Sequence, residues 1–289
     1  MLTSTDITGR VADLAWAQWT ALGAGGWADG EESPYSVDLE QLIALTAWIS
    51  AEHPRVHAVA QAWLARYNDF IARPRLKNLL ATETADLKLA VSTLLNTTAT
   101  PTNASRGKIT RTEVELPPLA GRRDLIALRT RAAVGVGARA EILRLLAQQP
   151  DRQRSTAWLA RFSGYSKRNV ADALTMLGYS GLVNRRRITN SDKWSLADAA
   201  AMRKLLGPFP RAEVRPPIQL AVLRALTRNA GLFEQHVGDA AITEALSIME
   251  SLRTEIEALD IPRLELSSST DHGLAYDAWA HGTLQRLTA

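Results

Sequence analysis

The chain has no cysteine. That excludes disulfides and thiolate metal centres, and says nothing against a reducing compartment. No apolar run approaches the roughly 20 residues of a bilayer-spanning helix. The opening residues, Met1-Leu2-Thr3-Ser4-Thr5-Asp6, carry neither a basic n-region nor an apolar h-region. The expectation is a cytoplasmic protein without a signal peptide and without a membrane partner. Catalytic signatures are missing as well: no Ser-His-Asp elbow, H-E-x-x-H, phosphate-binding loop or paired-carboxylate pattern occurs. The five histidines are scattered over three regions. An enzyme has no foothold in such a sequence, so the expected catalytic residues, metal ligands and cofactors are none.

Three near-matches to ligand motifs read as structure. Gly23-Ala24-Gly25-Gly26 has neither the lysine nor the preceding strand of a phosphate loop, and reads as a helix stop. Gly135-Val136-Gly137 follows a helix pattern and lacks the third glycine of a dinucleotide site. His53 and His57 have a spacing that can serve a metal, but Pro54 makes His53 a helix boundary and only Glu52 lies close by.

What the chain does have is a strongly uneven charge. Its 289 residues carry a net +4, which conceals a segment from Arg122 to Arg215 with 19 Lys/Arg against 7 Asp/Glu. Residues 1–121 hold 10 against 13, and residues 216–289 hold 5 against 10. A basic middle between two acidic flanks suggests a polyanionic partner for the middle alone. An apolar fraction of 46% is ordinary for a globular chain of this length, which suits two or three domains.

The N-terminal part reads as helical. Amphipathic patterns run over residues 8–22, 37–50, 55–72, 75–81 and 85–96, and Trp16, Trp19, Trp27, Trp48 and Trp63 are expected in its core. "RPRLKNLL" reads as a solvated basic face that could lie beside a nucleic acid. Residues 97–121, rich in Thr, Ser, Asn and Pro, read as a linker.

The central segment has the most specific order of elements. A helix pattern over Ala138–Gln148 stops at Pro150, followed by the basic connector Arg152-Gln153-Arg154. A second helix opens at Ser155, and Ser163-Gly164-Tyr165 turns into a third, Ser166 to Leu177. Val170, Ala173, Leu174 and Leu177 share one face of that helix, leaving Arg168, Asp172 and Thr175 on the other. Two strand-like runs follow, Leu182–Ile188 and Lys193–Leu196, joined by Thr189-Asn190-Ser191-Asp192.

With "ARAEILRLLAQQP", "STAWLARFSGYSKRNVADALTMLGYSGLVNRRR" and "KWSLA", residues 137–197 resemble the winged helix-turn-helix domain of bacterial MarR/ArsR-type regulators. The resemblance implies that the third helix enters the DNA major groove while the hairpin wing lies on flanking backbone or minor groove. It then casts Ser166, Lys167, Arg168 and Asn169 as the reading end, with Arg168 on guanine and Asn169 on adenine, and Thr175 on the same face. Arg185, Arg186, Arg187 and Lys193 would hold backbone, and Arg154 and Ser155 the phosphates at the second helix. Asp172 departs from a uniformly basic face.

After a short helix over residues 197–206, the segment 207–289 again reads as helical. Ile242, Ala245, Met249, Leu252, Ile256 and Leu259 fall at heptad spacing, either as a helix packed within a domain or as a homodimer seam. The expected fold is mainly α: a helical domain (1–96), a linker (97–121), a winged helix-turn-helix domain with a small β-hairpin wing (122–206), and a helical C-terminal domain (207–289). The expected function is a transcriptional regulator binding double-stranded DNA. The alternative is a winged-helix scaffold or antitoxin-like protein whose helical flanks grip a partner protein.

Overall fold

The computed structural model describes residues 2–24, 32–97, 115–212, 214–235, 239–264 and 272–288. Among these the fold is mainly helical, with one small antiparallel sheet. No described helix is long and apolar enough to cross a membrane.

The first helix, α1 (Ser4–Ala21), begins earlier than its apolar pattern suggests because Thr3 and Asp6 form a reciprocal cap. The Asp6 N–H donates to the Thr3 hydroxyl at 3.1 Å, and the Thr3 N–H donates to the Asp6 carboxylate at 3.0 Å. Asp38 caps α2 (Leu39–Ile49), which is buried on almost every side. Pro54 opens α3 (Pro54–Tyr67), its missing N–H being one that a first turn leaves unpaired anyway. The helix expected to reach residue 72 stops here, because Asn68–Phe70 tighten into a 3-10 turn. Two short helices follow, α4 (Arg73–Leu79) and α5 (Ala85–Thr97).

The middle of the chain forms α6 (Ile126–Val134), α7 (Ala138–Gln148), α8 (Thr156–Ser163), α9 (Lys167–Tyr179) and α10 (Ala199–Leu206). Its sheet has the order β1-β3-β2, from β1 (Arg154–Ser155), β2 (Val183–Ile188) and β3 (Ser191–Leu196). The basic connector is thus partly a strand, with Arg154 opposite Trp194. The hairpin is also tighter than its composition suggests: Ile188 pairs with Ser191, so only Thr189 and Asn190 turn. Arg129 of α6 donates to the carbonyls of Leu119 and Arg122 at 2.6 and 2.9 Å, and to those of Leu206 and Pro208. It thereby satisfies the carboxyl end of α10, where helical carbonyls lack intrahelical donors.

The C-terminal helices are α11 (Gln219–Gln235), α12 (Asp239–Ser251), α13 (Arg253–Ala258) and α14 (His272–Thr288). The heptad-spaced stretch is interrupted at Leu252, between α12 and α13. Ala245, Met249, Ile256 and Leu259 are buried in the chain's own core.

Two hydrophobic clusters organise the molecule. The first joins α1–α5 to α11–α14, so the two acidic flanks share one core. The second lies under α7, α8, α9, α10 and the sheet. Trp19 and Trp63 are fully buried in the first, their rings 5.6 Å apart, while Trp48 packs partly buried at its edge. Trp16 is exposed, contrary to the core expectation, since it sits about 100° around α1 from the buried Ala15. Trp27 lies outside the described residues, as does most of the segment expected to be a linker.

Between the clusters runs α6, with Leu128 in the first and Ile126 in the second. Here a buried ion network crosses from one cluster to the other. Glu40 of α2 accepts from Arg75 of α4 and, at 2.8 and 2.7 Å, from Arg131 of α6. Arg75 also meets Asp38, while Glu141 of α7 accepts from Arg131 at 2.9 Å and from Arg144 at 3.0 Å. Three arginines face three carboxylates, so no net charge is buried. A network of this kind is worth little against apolar packing of the same shape, yet it penalises any other docking of the two clusters.

Candidate nucleic-acid interface

Each end of the α8–α9 unit has a local cause. Ser155 caps α8, its hydroxyl accepting from the Trp158 N–H at 3.1 Å. The helix ends at Gly164, whose φ of 75° is a left-handed conformation that favours glycine. Space matters there too, because a Cβ on Gly164 would lie 3.1 Å from Pro217 and 3.2 Å from the Arg75 guanidinium. Ser166 then caps α9 by accepting from the Asn169 N–H at 3.2 Å.

Val170, Ala173, Leu174 and Leu177 are buried on one side of α9, as their spacing predicts. Lys167, Arg168 and Asn169 are exposed in its first turn, and Asp172, Thr175, Met176 and Tyr179 continue the outer surface. Arg168 and Asp172 are one helical turn apart but form no ion pair among the described residues. Two hydroxyls from the expected reading face are already engaged: Ser166 in its cap, and Thr175, which donates to the Ala171 carbonyl at 2.9 Å.

The three hairpin arginines, consecutive in sequence, are not equivalent. Arg185 forms an ion pair with Asp192 at 2.7 Å, and its guanidinium lies 5.9 Å from the Trp194 ring centre. Arg186 stands directly across from Lys193, and neither has a carboxylate partner among the described residues. Like charges in directly opposed strand positions repel. Arg187 is exposed and stands across from Asp192, on the opposite face of the hairpin from Arg186 and Lys193. Arg154 is less available than its position suggests: it is half-buried, bonded to the Gln149 side chain and stacked 4.1 Å over the Trp158 ring. Ser155 is half-buried and committed to its cap.

Neither family models, nor curated proteins, nor solved structures yield a match to this chain. Its chemistry has to be read from its own residues.

Three of the 19 basic residues in the middle segment do not contribute to the surface, because Arg129, Arg131 and Arg144 are buried. "RPRLKNLL" is split in the same way. Arg73 and Lys77 are exposed, whereas Arg75 is 2% exposed and bonded to α8 through the Ser163 carbonyl at 2.6 Å. Asn78 donates to the Gly164 carbonyl at 3.3 Å. Sequence reading missed this grip of α4 on the turn before α9. The one available hint was three cations at every second position, of which a helix can expose only some. His53 stands at the start of α3 and His57 is half-buried within it; no group of three metal-ligating side chains occurs among the described residues.

Proposed function

We propose that this chain is a DNA-binding regulator, acting in the cytoplasm and without catalysis, that reads duplex DNA through α9. In this reading α7, α8 and α9 with the sheet work as a winged helix-turn-helix. Arg168 meets a guanine edge by its two-pronged guanidinium, and Asn169 meets adenine. Lys167 holds a phosphate at the α9 amino terminus, where free N–H groups also favour an anion. Arg186, Arg187 and Lys193 hold the neighbouring backbone.

The observation that carries the reading is the unneutralised pair Arg186 and Lys193, set face to face on the hairpin that follows an α9 whose first-turn cations also lack carboxylates among the described residues. Such an arrangement is repulsive in the free protein and is relieved by a polyanion. Selection from a random duplex library tests it. A recovered site that loses its preferred base when Arg168→Ala is used supports the reading, and a library that emerges unenriched opposes it.

One observation favours a second reading, a protein-docking role. Met176 and Tyr179, three residues apart on the outer side of α9, are 56% and 83% exposed and place two large side chains next to each other at the surface. A partner bound there would be lost on Tyr179→Asp while DNA binding at the amino end of α9 persists.

A further inference from the structure

We propose that the duplex-binding surface extends past α9 onto the helical body, where Arg73, Lys77 and Arg139 hold phosphates on the Asn169 side of α9. The proposal rests on α9 being the DNA-reading helix and adds a second element, α4, to the interface.

Arg73 and Lys77 are four residues apart and so share one face of α4, while Arg75 and Leu76 between them are buried. That face is held in place. The Ala72 N–H donates to Glu40 at 2.8 Å, Arg75 is locked in the ion network, and Asn78 holds the Gly164 carbonyl. The cations of α4 are therefore presented at a fixed offset from the first turn of α9.

Between the two helices runs an open groove of about 560 Å³. Arg73 and Pro74 line it from α4 and Asn169 and Asp172 from α9, with Val136 to Ala138 also in its lining. Arg139, exposed, follows directly at the start of α7. Arg73, Lys77 and Arg139 form no ion pair among the described residues, although Asp172 lines the same groove. Some exposed arginines of the C-terminal region do find carboxylates: Arg228 pairs with Glu244, Arg253 with Glu250, and Arg263 with Glu257. Arg73 lines the groove itself, Lys77 lies one turn further along α4, Arg139 follows the lining residue Ala138, and Lys167 and Arg168 precede the lining residue Asn169.

A helix in the major groove has phosphate backbone on both sides, and that backbone carries one charge per about 1.7 Å of duplex axis. The hairpin cations can meet only part of it. Those of α4 and α7 supply contacts for the backbone passing the Asn169 side. Such contacts set affinity and register without reading bases.

The test is the salt dependence of binding to a mixed-sequence duplex and to the preferred site, for the full chain and for Arg73→Ala/Lys77→Ala/Arg139→Ala. The logarithmic slope is expected to fall by about 0.9 for each of the three that meets a phosphate. Binding should weaken by the same factor on both duplexes, whereas Arg168→Ala weakens mainly the preferred one. Thermal unfolding should not change, since all three side chains are exposed and unpaired. A triple variant with the wild-type slope overturns the proposal while leaving α9 as the reader. A wild-type chain with no salt-dependent binding overturns both.

Discussion

The Nε–H of Arg75 donates to the carbonyl oxygen of Ser163 at 2.6 Å, across 88 residues of sequence. The same guanidinium faces Asp38 and Glu40, so one side chain ties α2 and α4 to the last residue of α8. Arg75→Met should therefore destabilise the whole chain. It leaves Glu40 with one cation in place of two and frees a buried carbonyl, and breaking one side of such a network costs about 3–5 kcal/mol. Urea unfolding measures this. A loss under about 1 kcal/mol would mean that the network does not join the two clusters.

The network also sets an acid limit. Burial alone would raise the Glu141 carboxyl, but Arg144 and Arg131 outweigh it and hold it down at about 2, from 4.5 in the unfolded chain. Asp38 is likewise held well below its ordinary value, its burial outweighed by Arg75. A depressed carboxylate lends stability above its unfolded value and loses it as pH falls through the folded one. The Glu141 part, on the order of 3 kcal/mol, should thus drain away between about pH 4.5 and 2. Unfolding free energies measured across that window should slope downward. Glu141→Gln should be weaker at neutral pH and lose part of the slope, with Asp38 keeping the rest. An unchanged slope in that variant counts against the pairing.

Gly164→Ala tests the turn between α8 and α9. The left-handed φ penalises any side chain by about 1–2 kcal/mol, and the new methyl also crowds Pro217 and Arg75. A loss of at least that size is expected in thermal or urea unfolding. A neutral result would show that the turn can relax away from α4.

The hairpin tip offers the opposite sign. Thr189 has a φ of 53°, a region in which a β-branched residue is strained. Thr189→Asn keeps a polar side chain at an exposed site and tolerates that conformation, so it should stabilise the fold by about 1 kcal/mol. A destabilised variant would indicate that the threonine side chain itself holds the turn.

The local parts of this fold were legible in the sequence. Ser155 and Ser166 announce α8 and α9, and the four-residue spacing of Val170 and Leu174 marks the buried side of α9. Arg168 follows from the same spacing as an exposed first-turn residue, whereas Asn169 is placed at that end by the resemblance alone. What could not be read is long-range. Nothing near Arg75 or Arg131 in sequence tells that each is enclosed by carboxylates from other helices. The pairing of Arg154 with Trp194 spans the whole α8–α9 unit, so β1 looked like a connector. The heptad spacing around Leu252 was real, but its apolar side is spent inside the chain. Likewise, the shared core of α1–α5 and α11–α14 has no local signature, because each helix shows only that it has an apolar face.

The most direct measurement is DNA binding against salt for the wild-type chain and for Arg185→Ala/Arg186→Ala/Arg187→Ala, on genomic fragments and mixed-sequence duplex. The expected result is nanomolar or tighter binding to a preferred fragment, with a steep slope. In the triple variant that slope should drop by about 2, since Arg186 and Arg187 are free for phosphates while Arg185 is paired with Asp192. Binding no tighter than the non-specific micromolar range, and indifferent to the three substitutions, would contradict DNA reading by α9 and its hairpin.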